Sequence, residues 1–292
     1  MKITVVQTNT MHDKARNIAQ AKGLMEAAIV ADRPDVLVLP EVWNWRGGTT
    51  ADKIREADDV PQFGKPSAAD QHPGVAYSLL QSLARTHKVW IHGGSLTERI
   101  AGGSKIYNTT CVFNREGREV ARYRKIHMFD IVAPDGTPYR ESDDIKAGED
   151  IVTYDLEGLK VGCTICYDMR FAELYITLAK QGCDVIMVPS SFTLQTGKDH
   201  WDLLLRARAV ETQCYIVAPA QYGPFVDAKG GTRLSYGHSL IADPWGHIVA
   251  KVSDGIGFAS ANIDREHAHR RWSARQALRR LGEGRDPLAH AV

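Results

Sequence analysis

Apolar positions along the chain follow two rhythms. Residues 2–8 read as a first strand, and residues 14–30 carry Ile18, Ala21, Met25, Ala28 and Ile29 near helical spacing, which predicts an amphipathic helix. Pro34 then breaks the chain before Asp35-Val-Leu-Val-Leu-Pro40, a continuous apolar run of the kind buried on both faces. A polar stretch with Pro and Gly (46–73) leads to a second predicted helix near 74–86, with Val75, Leu79, Leu80 and Leu83 on one face. Strand 89–94 follows, and segments 106–113 and 118–124 flank Asn114-Arg-Glu-Gly117, a hairpin signal. Segment 130–150 is long, polar and without period (Pro134, Gly136, Pro138, Gly148), which predicts a functional loop.

Beyond that loop the pattern alternates. Strands are expected near 151–155 and 159–165, a helix near 169–181, strand 184–188, a helix near 200–213 and strand 214–219. Strands near 236–242 and 247–252 flank the turn signature Asp243-Pro-Trp-Gly246, and a strand near 256–263 ends the regular part. No repeat at a period of about 20–50 residues and no linker-like shift in composition interrupts this run. The pattern predicts one domain over 1–264, a tail over 265–292 packed on it or on a partner subunit, and an α/β layered fold.

Composition narrows the function classes. The 292 residues are 43% hydrophobic and 24% charged, which excludes disordered, collagenous and low-complexity chains. With 36 basic against 35 acidic residues, the net charge of +1 gives no general footprint for nucleic acid or an anionic membrane. Arg265, Arg270, Arg271, Arg275, Arg279, Arg280 and Arg285 crowd the C-terminus, and they read as a solvated or subunit-docking helix rather than a nucleic-acid arm. No apolar run approaches the roughly 18 residues of a membrane span, and the N-terminal run is too short for a signal peptide. Five cysteines (Cys111, Cys163, Cys166, Cys183, Cys214) are too few for a disulfide scaffold, so a cytoplasmic location is expected.

Candidate chemistry starts at Cys166, which follows the apolar strand Leu159-Lys-Val-Gly-Cys-Thr-Ile165 and precedes the expected helix. Unpaired amides and the positive end of a helix dipole at such a junction would lower a thiol's pKa and supply oxyanion donors. An inert buried cysteine is the plain alternative. Cys163 completes a C-x-x-C with Cys166, but period-two alternation turns it into the core. No second C-x-x-C accompanies His127, His200 or His238 as zinc ligands, so redox and metal readings are set aside. Glu41 follows the buried strand at the edge where open α/β sheets bind ligands, and alone it reads equally as a solvated carboxylate. Lys125, in Arg122-Tyr-Arg-Lys-Ile-His-Met-Phe-Asp130, reads alone as a solvent-facing cation.

In combination these segments carry a specific resemblance. Leu39-Pro-Glu41, Arg124-Lys125-Ile-His-Met-Phe-Asp130 and Ile165-Cys166-Tyr-Asp-Met-Arg-Phe-Ala-Glu-Leu174 resemble the three signature segments of the carbon–nitrogen hydrolase (nitrilase) superfamily, in the family's order. Supporting matches lie at His200-Trp201, Arg206-Ala-Arg-Ala-Val-Glu-Thr-Gln-Cys-Tyr215, Ser235-Tyr-Gly-His-Ser239 and Asp243-Pro-Trp-Gly246, so the resemblance spans about residues 2–264. It implies a four-layer α-β-β-α sandwich that forms a homodimer or higher homo-oligomer through helices flanking the cysteine strand, with segment 200–215 a candidate interface. By the same resemblance Cys166 is the nucleophile and Glu41 the general base, while Lys125 and the Tyr167 backbone N–H hold the oxyanion. Glu141 matches a second glutamate beside the site. Arg170 is either a ligand for a substrate carboxylate or a partner of Asp168, Thr196 contacts substrate from a Thr-Gly loop, and His127 has a structural role. No cofactor and no metal is implied.

The form Cys166-Tyr-Asp-Met-Arg-Phe-Ala-Glu-Leu174 is similar to the omega-amidase and deaminated-glutathione-amidase branch. True nitrilases usually carry Cys-Trp-Glu and carbamoylases Cys-Asn-Asp. The expected substrate is a small primary amide bearing a carboxylate or 2-oxo acid. Three features depart from that branch: Val42-Trp-Asn-Trp-Arg-Gly-Gly48, the Gly-containing segment 222–231, and Lys198 in place of a common proline. Indole rings at a pocket mouth would suit a bulkier or aromatic acyl group, which keeps an amidase for such amides, or an N-carbamoyl hydrolase, as the alternative. A non-catalytic or thiol-redox protein on the same fold would have no need to keep Glu41, Lys125 and Cys166 together.

Overall fold

Period-two alternation within short apolar strands decides the architecture, because each strand sends side chains to two different cores. The computed structural model describes residues 1–64, 73–132, 136, 138–226 and 230–264, so the tail 265–292 and its arginines lie outside the described residues. The first half of the chain forms β1 (Lys2–Gln7), α1 (Lys14–Asp32), β2 (Val36–Val38), α2 (Thr50–Glu56), α3 (Val75–His87), β3 (Trp90–His92), β4 (Leu96–Arg99), β5 (Ile106–Phe113) and β6 (Glu119–Arg124). A small hairpin, β7 (Asp130–Val132) and β8 (Pro138–Arg140), and a 3-10 turn at Glu141–Asp143 follow. The second half forms β9 (Thr153–Leu156), β10 (Leu159–Cys163), a 3-10 turn at Cys166–Arg170, α4 (Ala172–Lys180), β11 (Val185–Met187), α5 (Leu194–Thr212) and β12 (Tyr215–Ala218). A second hairpin, β13 (Tyr222–Val226) and β14 (Thr232–Tyr236), precedes β15 (Leu240–Ala242), β16 (Ile248–Lys251) and β17 (Gly257–Asn262).

One sheet runs β17-β1-β2-β3-β5-β4 with β6 also paired to β5, and the other runs β16-β15-β12-β11-β10-β9. Parallel pairs β1–β2–β3 and β10–β11–β12 lie at their centres, with antiparallel strands outside. Ile3, Val5, Val36, Val38 and Trp90 of the first sheet share a buried cluster with Tyr154, Leu156, Val161 and Cys163 of the second, so the sheets pack face to face. The intervening positions Val6, Leu37, Leu39 and Ile91 face the other way, onto Ala21, Met25 and Ala28 of α1 and Leu80 and Ala84 of α3. Leu174 and Leu178 of α4 and Trp201 and Leu205 of α5 cover the outer face of the second sheet. The fold is therefore the four-layer α-β-β-α sandwich. No described helix is long and apolar enough to cross a membrane.

Local signals explain the boundaries. Asp13 caps α1 by accepting from the Arg16 N–H (3.0 Å), and Arg33 ends it in the left-handed region at φ 49° just before Pro34. The expected helix at 200–213 begins earlier, at Leu194, because the Thr193 hydroxyl caps it and its first turns are polar and carry no apolar period. The loop expected over 130–150 contains β7, β8 and a 3-10 turn, and the segment from 222 forms the β13–β14 hairpin. The single strand expected at 236–242 is interrupted where Gly237 and His238 take φ of 74° and 60°, leaving β15 to start at Leu240. Helix α2 and strand β4 lay in stretches whose pattern gave no element.

Candidate active site

Glu41, Lys125, Glu141 and Cys166 come from four separate segments and line one cavity of about 420 Å³. Glu41 lies three residues beyond the end of β2, and Cys166 three beyond β10. Both follow the carboxyl ends of central parallel strands, where the divergence of the chain opens a crevice. Lys125 follows β6 directly, with its backbone N–H on the Asn108 carbonyl (2.9 Å). Glu141 opens the 3-10 turn after β8.

Lys125 is the hub of this cluster. Its Nζ lies 2.9 Å from Glu41 Oε1 and 2.9 and 2.8 Å from the two Glu141 oxygens, and the side chain is only 2% exposed. Asn108 Nδ2 donates to the same Glu41 oxygen (2.9 Å), and the Phe129 N–H donates to Glu141 (2.6 Å). Lys125 and Glu41 are therefore buried, not solvated. Although burial opposes its charge, Glu141 and Glu41 hold the Lys125 ammonium well above its ordinary range. Burial, aided by the nearby Glu41 charge, pushes the Glu141 carboxyl up against the pull of Lys125.

Cys166 departs from expectation in two respects, its local backbone and its ionisation. It opens a 3-10 turn rather than an α-helix, in the left-handed region at φ 49°, with its N–H on the Pro189 carbonyl (2.9 Å). That backbone conformation is strained for a side-chain-bearing residue. Burial and the neighbouring Glu41 carboxylate push the thiol well up, against Lys125 and the Ser191 amide, so the expected depression does not occur. The Tyr167 amide has no backbone acceptor among the described residues.

Asp168 anchors this turn from behind. Fully buried, it accepts from the Tyr123 hydroxyl (2.6 Å), the Ile165 N–H (2.8 Å), and both the backbone N–H and Nδ1 of His127 (3.0 and 2.7 Å). Arg170 is not its partner. The Arg170 guanidinium contacts His200 Nδ1 (3.1 Å) and lines the cavity near the Phe192 ring. Thr196 also lines the cavity, but in the first turn of α5 rather than in a loop, with its hydroxyl 2.8 Å from that of Thr193.

Sequence reasoning missed two residues of the cavity wall. Asn108 sits inside the apolar strand β5, 1% exposed, and a polar residue in such a run is the signal that could have found it. Its Oδ1 has no hydrogen-bond partner among the described residues. Arg46 was passed over for its tryptophan neighbours, yet Trp43 and Trp45 are 0% and 3% exposed, bond Gly93 and His12 carbonyls, and do not line the cavity. The expectation of indoles at a pocket mouth fails because both rings are used as core. Among the described residues no group of His, Cys, Asp and Glu is arranged to hold a metal ion.

Comparison with known proteins identifies the family. The family profile described as carbon-nitrogen hydrolase matches residues 2–271. A deaminated glutathione amidase of Synechocystis is 37% identical over 89% of this chain and 90% of its own. An omega-amidase of Mus musculus is 35% identical over 90% of this chain and 88% of its own. Among solved structures, Nit3 of Saccharomyces cerevisiae, a member of branch 10 of the nitrilase superfamily, superposes with a TM-score of 0.80 at 31% identity, covering 94% of this chain and 93% of that one. The Caenorhabditis elegans NitFhit protein gives a TM-score of 0.82 at 32% identity, over 97% of this chain and 64% of that one. From its matched segments, its layers and its relatives, the chain belongs to the carbon–nitrogen hydrolase family and is an amide-hydrolysing enzyme.

Proposed function

We propose that this cavity hydrolyses a small, carboxylate-bearing primary amide to the acid and ammonia through a thioester on Cys166. The observation that carries the reading is the buried Lys125 ammonium, held between Glu41 and Glu141 in the same cavity as the Cys166 thiol. Glu41 takes the thiol proton as sulfur attacks the amide carbon. The oxyanion of the tetrahedral adduct faces Lys125 and the Tyr167 amide, a fixed cation and dipole that need no rearrangement. Glu41 returns its proton to the nitrogen, ammonia leaves, and the acyl group remains on sulfur. Water then gives a proton to Glu41 and attacks the thioester, and the acid departs as the thiol is restored. Glu141 fixes Lys125, and Asn108 fixes Glu41.

Arg170 takes the substrate carboxylate, since its guanidinium reaches the cavity and Asp168 is fully engaged elsewhere. Thr196 contacts the acyl chain beside it. Relatives named as omega-amidase and deaminated glutathione amidase favour the same substrate class. The test is product release from 2-oxoglutaramate, deaminated glutathione, an aromatic amide, an N-carbamoyl amino acid and a nitrile, read as cysteinylglycine for deaminated glutathione and as ammonia for the others. Turnover by wild type of the carboxylate-bearing amides only, lost in Cys166→Ala, is expected. Turnover favouring the aromatic or carbamoyl compound would discard the substrate class.

Two copies pair through α5. Leu203 and Val210, one heptad apart on that helix, are 66% and 48% exposed, with Trp245 59% exposed, an apolar combination that monomers rarely leave wet. Leu203→Glu is expected to shift the light-scattering mass from two chains towards one, and an unchanged mass would reject this face. None of the five cysteines forms a disulfide and all are buried, which agrees with a reducing compartment such as the cytoplasm.

A further inference from the structure

Arg170 is assigned to substrate above, but Arg46, Arg140 and Arg233 line the same cavity, and of these Arg46 is the one held five residues from the catalytic base. Arg46 lies in the loop between β2 and α2, five residues after Glu41. The loop is fixed on every side. Its Arg46 N–H donates to the Met11 carbonyl (3.1 Å), and the buried Trp43 and Trp45 pin the chain just before it. Gly47 and Gly48 follow at φ 113° and 63°, where an added Cβ would fall 2.8 Å from the Val226 carbonyl and 2.7 Å from Asp52 Cβ. Only glycine allows so close and left-handed a path.

That path lays the Arg46 side chain on the β13–β14 hairpin. Its guanidinium carbon sits 3.4 Å from the Phe225 ring centroid, and Nη1 donates to Ser235 Oγ at 2.6 Å. A guanidinium carries five N–H donors, and Ser235 accepts from one. Among the described residues no carboxylate forms an ion pair with Arg46, whereas the two lysines of this wall, Lys125 and Lys53, are each matched by glutamate or aspartate. Burial brings Arg46 down to about 10, with Glu41 and Cys166 acting only from nearby, so it stays charged at neutral pH. A half-buried, immobilised cation with no ion-pair partner among the described residues is ready for an anion, because little ordering remains to be done.

We infer that Arg46 binds a second anionic group of the substrate, so that the preferred substrates are amides carrying two carboxylates, one at Arg170 and one at Arg46. This rests on the amidase reading for the position of the scissile bond. A substrate with a single carboxylate would leave either Arg46 or Arg170 without an anionic partner.

The experiment measures binding to the Cys166→Ala enzyme by calorimetry, with turnover by wild type as a separate readout. The ligands are butyramide, glutaramate, the monoamide of tricarballylic acid and glutarylglycine, which carry none, one, two and two carboxylates. The last two place the second carboxylate on the acyl and the amine side. At least one of them is expected to bind about tenfold or more tighter than glutaramate, the margin of a charge-assisted pair. Adding Arg46→Met should cut that margin to about threefold or less, and Arg46→Lys should restore part of it. The inference is overturned if neither dianionic ligand shows the margin, or if Arg46→Met weakens every ligand equally, as a merely structural residue would. An Arg46-dependent margin without release of ammonia or glycine would count against the amidase reading instead, and turnover without the margin would do the reverse.

Discussion

A thiol whose burial and whose carboxylate neighbour both resist ionisation is no nucleophile until something takes its proton, and Glu41 is the neighbour placed to take it. The same charge that makes Glu41 a base for Cys166 therefore also keeps the resting thiol protonated. Replacing it separates the two effects. Glu41→Gln removes the carboxylate that raises the thiol, while Lys125, which favours thiolate, remains. Amide turnover should fall by about a thousandfold or more, since both proton transfers are lost. Alkylation by iodoacetamide needs no leaving-group proton, so it should persist with its pH inflection moved down. Ammonia release and alkylation rates measured from acid to alkaline pH check both halves, and an inflection moved up would refute the assignment of Glu41 as the group opposing ionisation. Glu41, Lys125 and Cys166 were legible in the sequence because the chemistry restricts residue type at each motif. Arg46 was not, since its meaning depends on a hairpin about 180 residues away in the chain.

Elements repeat this division between local and distant information. Strands such as β2 and β10 and the α1 face were readable, because alternation and helical spacing are properties of the local sequence. The β7–β8 and β13–β14 hairpins and the first turns of α5 were not, because these short segments carry no sustained apolar period and supply Pro138, Tyr139, Arg140, Thr196, Phe225 and Arg233 to the cavity wall. Gly197 shows what the sequence hides. In isolation it weakens the start of α5, and alanine there should gain up to about 1 kcal/mol of helix propensity. In the fold, an added Cβ would fall 2.2 Å from Tyr236 Cβ, where β14 crosses the helix. No rotation of either side chain relieves a clash between two Cβ atoms, so overpacking of about 1–3 kcal/mol should win. Gly197→Ala is expected to lower the melting temperature and, by moving Thr196 and Ser235, to raise KM more than it lowers kcat. Thermal melts with steady-state kinetics test this, and a stabilised variant would show that α5 and β14 do not approach so closely.

At the scale of the whole molecule, the two sheets meet through an apolar cluster with a histidine ring lodged between them. His92 of β3 is fully buried, with Nδ1 3.2 Å from the Tyr154 hydroxyl of β9, while Nε2 has no hydrogen-bond partner among the described residues. Burial alone brings its pKa down to about 3, so the folded protein holds it neutral. In the unfolded chain the same ring protonates near its ordinary value of about 6.5. Between those two values the unfolded state binds a proton that the folded state refuses, so stability falls as pH falls across this window. The contribution is fully present above about pH 6.5, and it declines by about 1.4 kcal/mol for each pH unit below. From about pH 7.5 to about pH 5 this one ring should remove about 2 kcal/mol. His92→Gln keeps an acceptor for Tyr154 and cannot protonate, so its urea-unfolding free energy should decline less over that interval, by about the same 2 kcal/mol. Equal declines in the two proteins would mean that water reaches His92 and that the sheets are not sealed there. A smaller decline in the variant would identify the junction between the sheets, rather than the catalytic cavity, as a source of the enzyme's acid sensitivity.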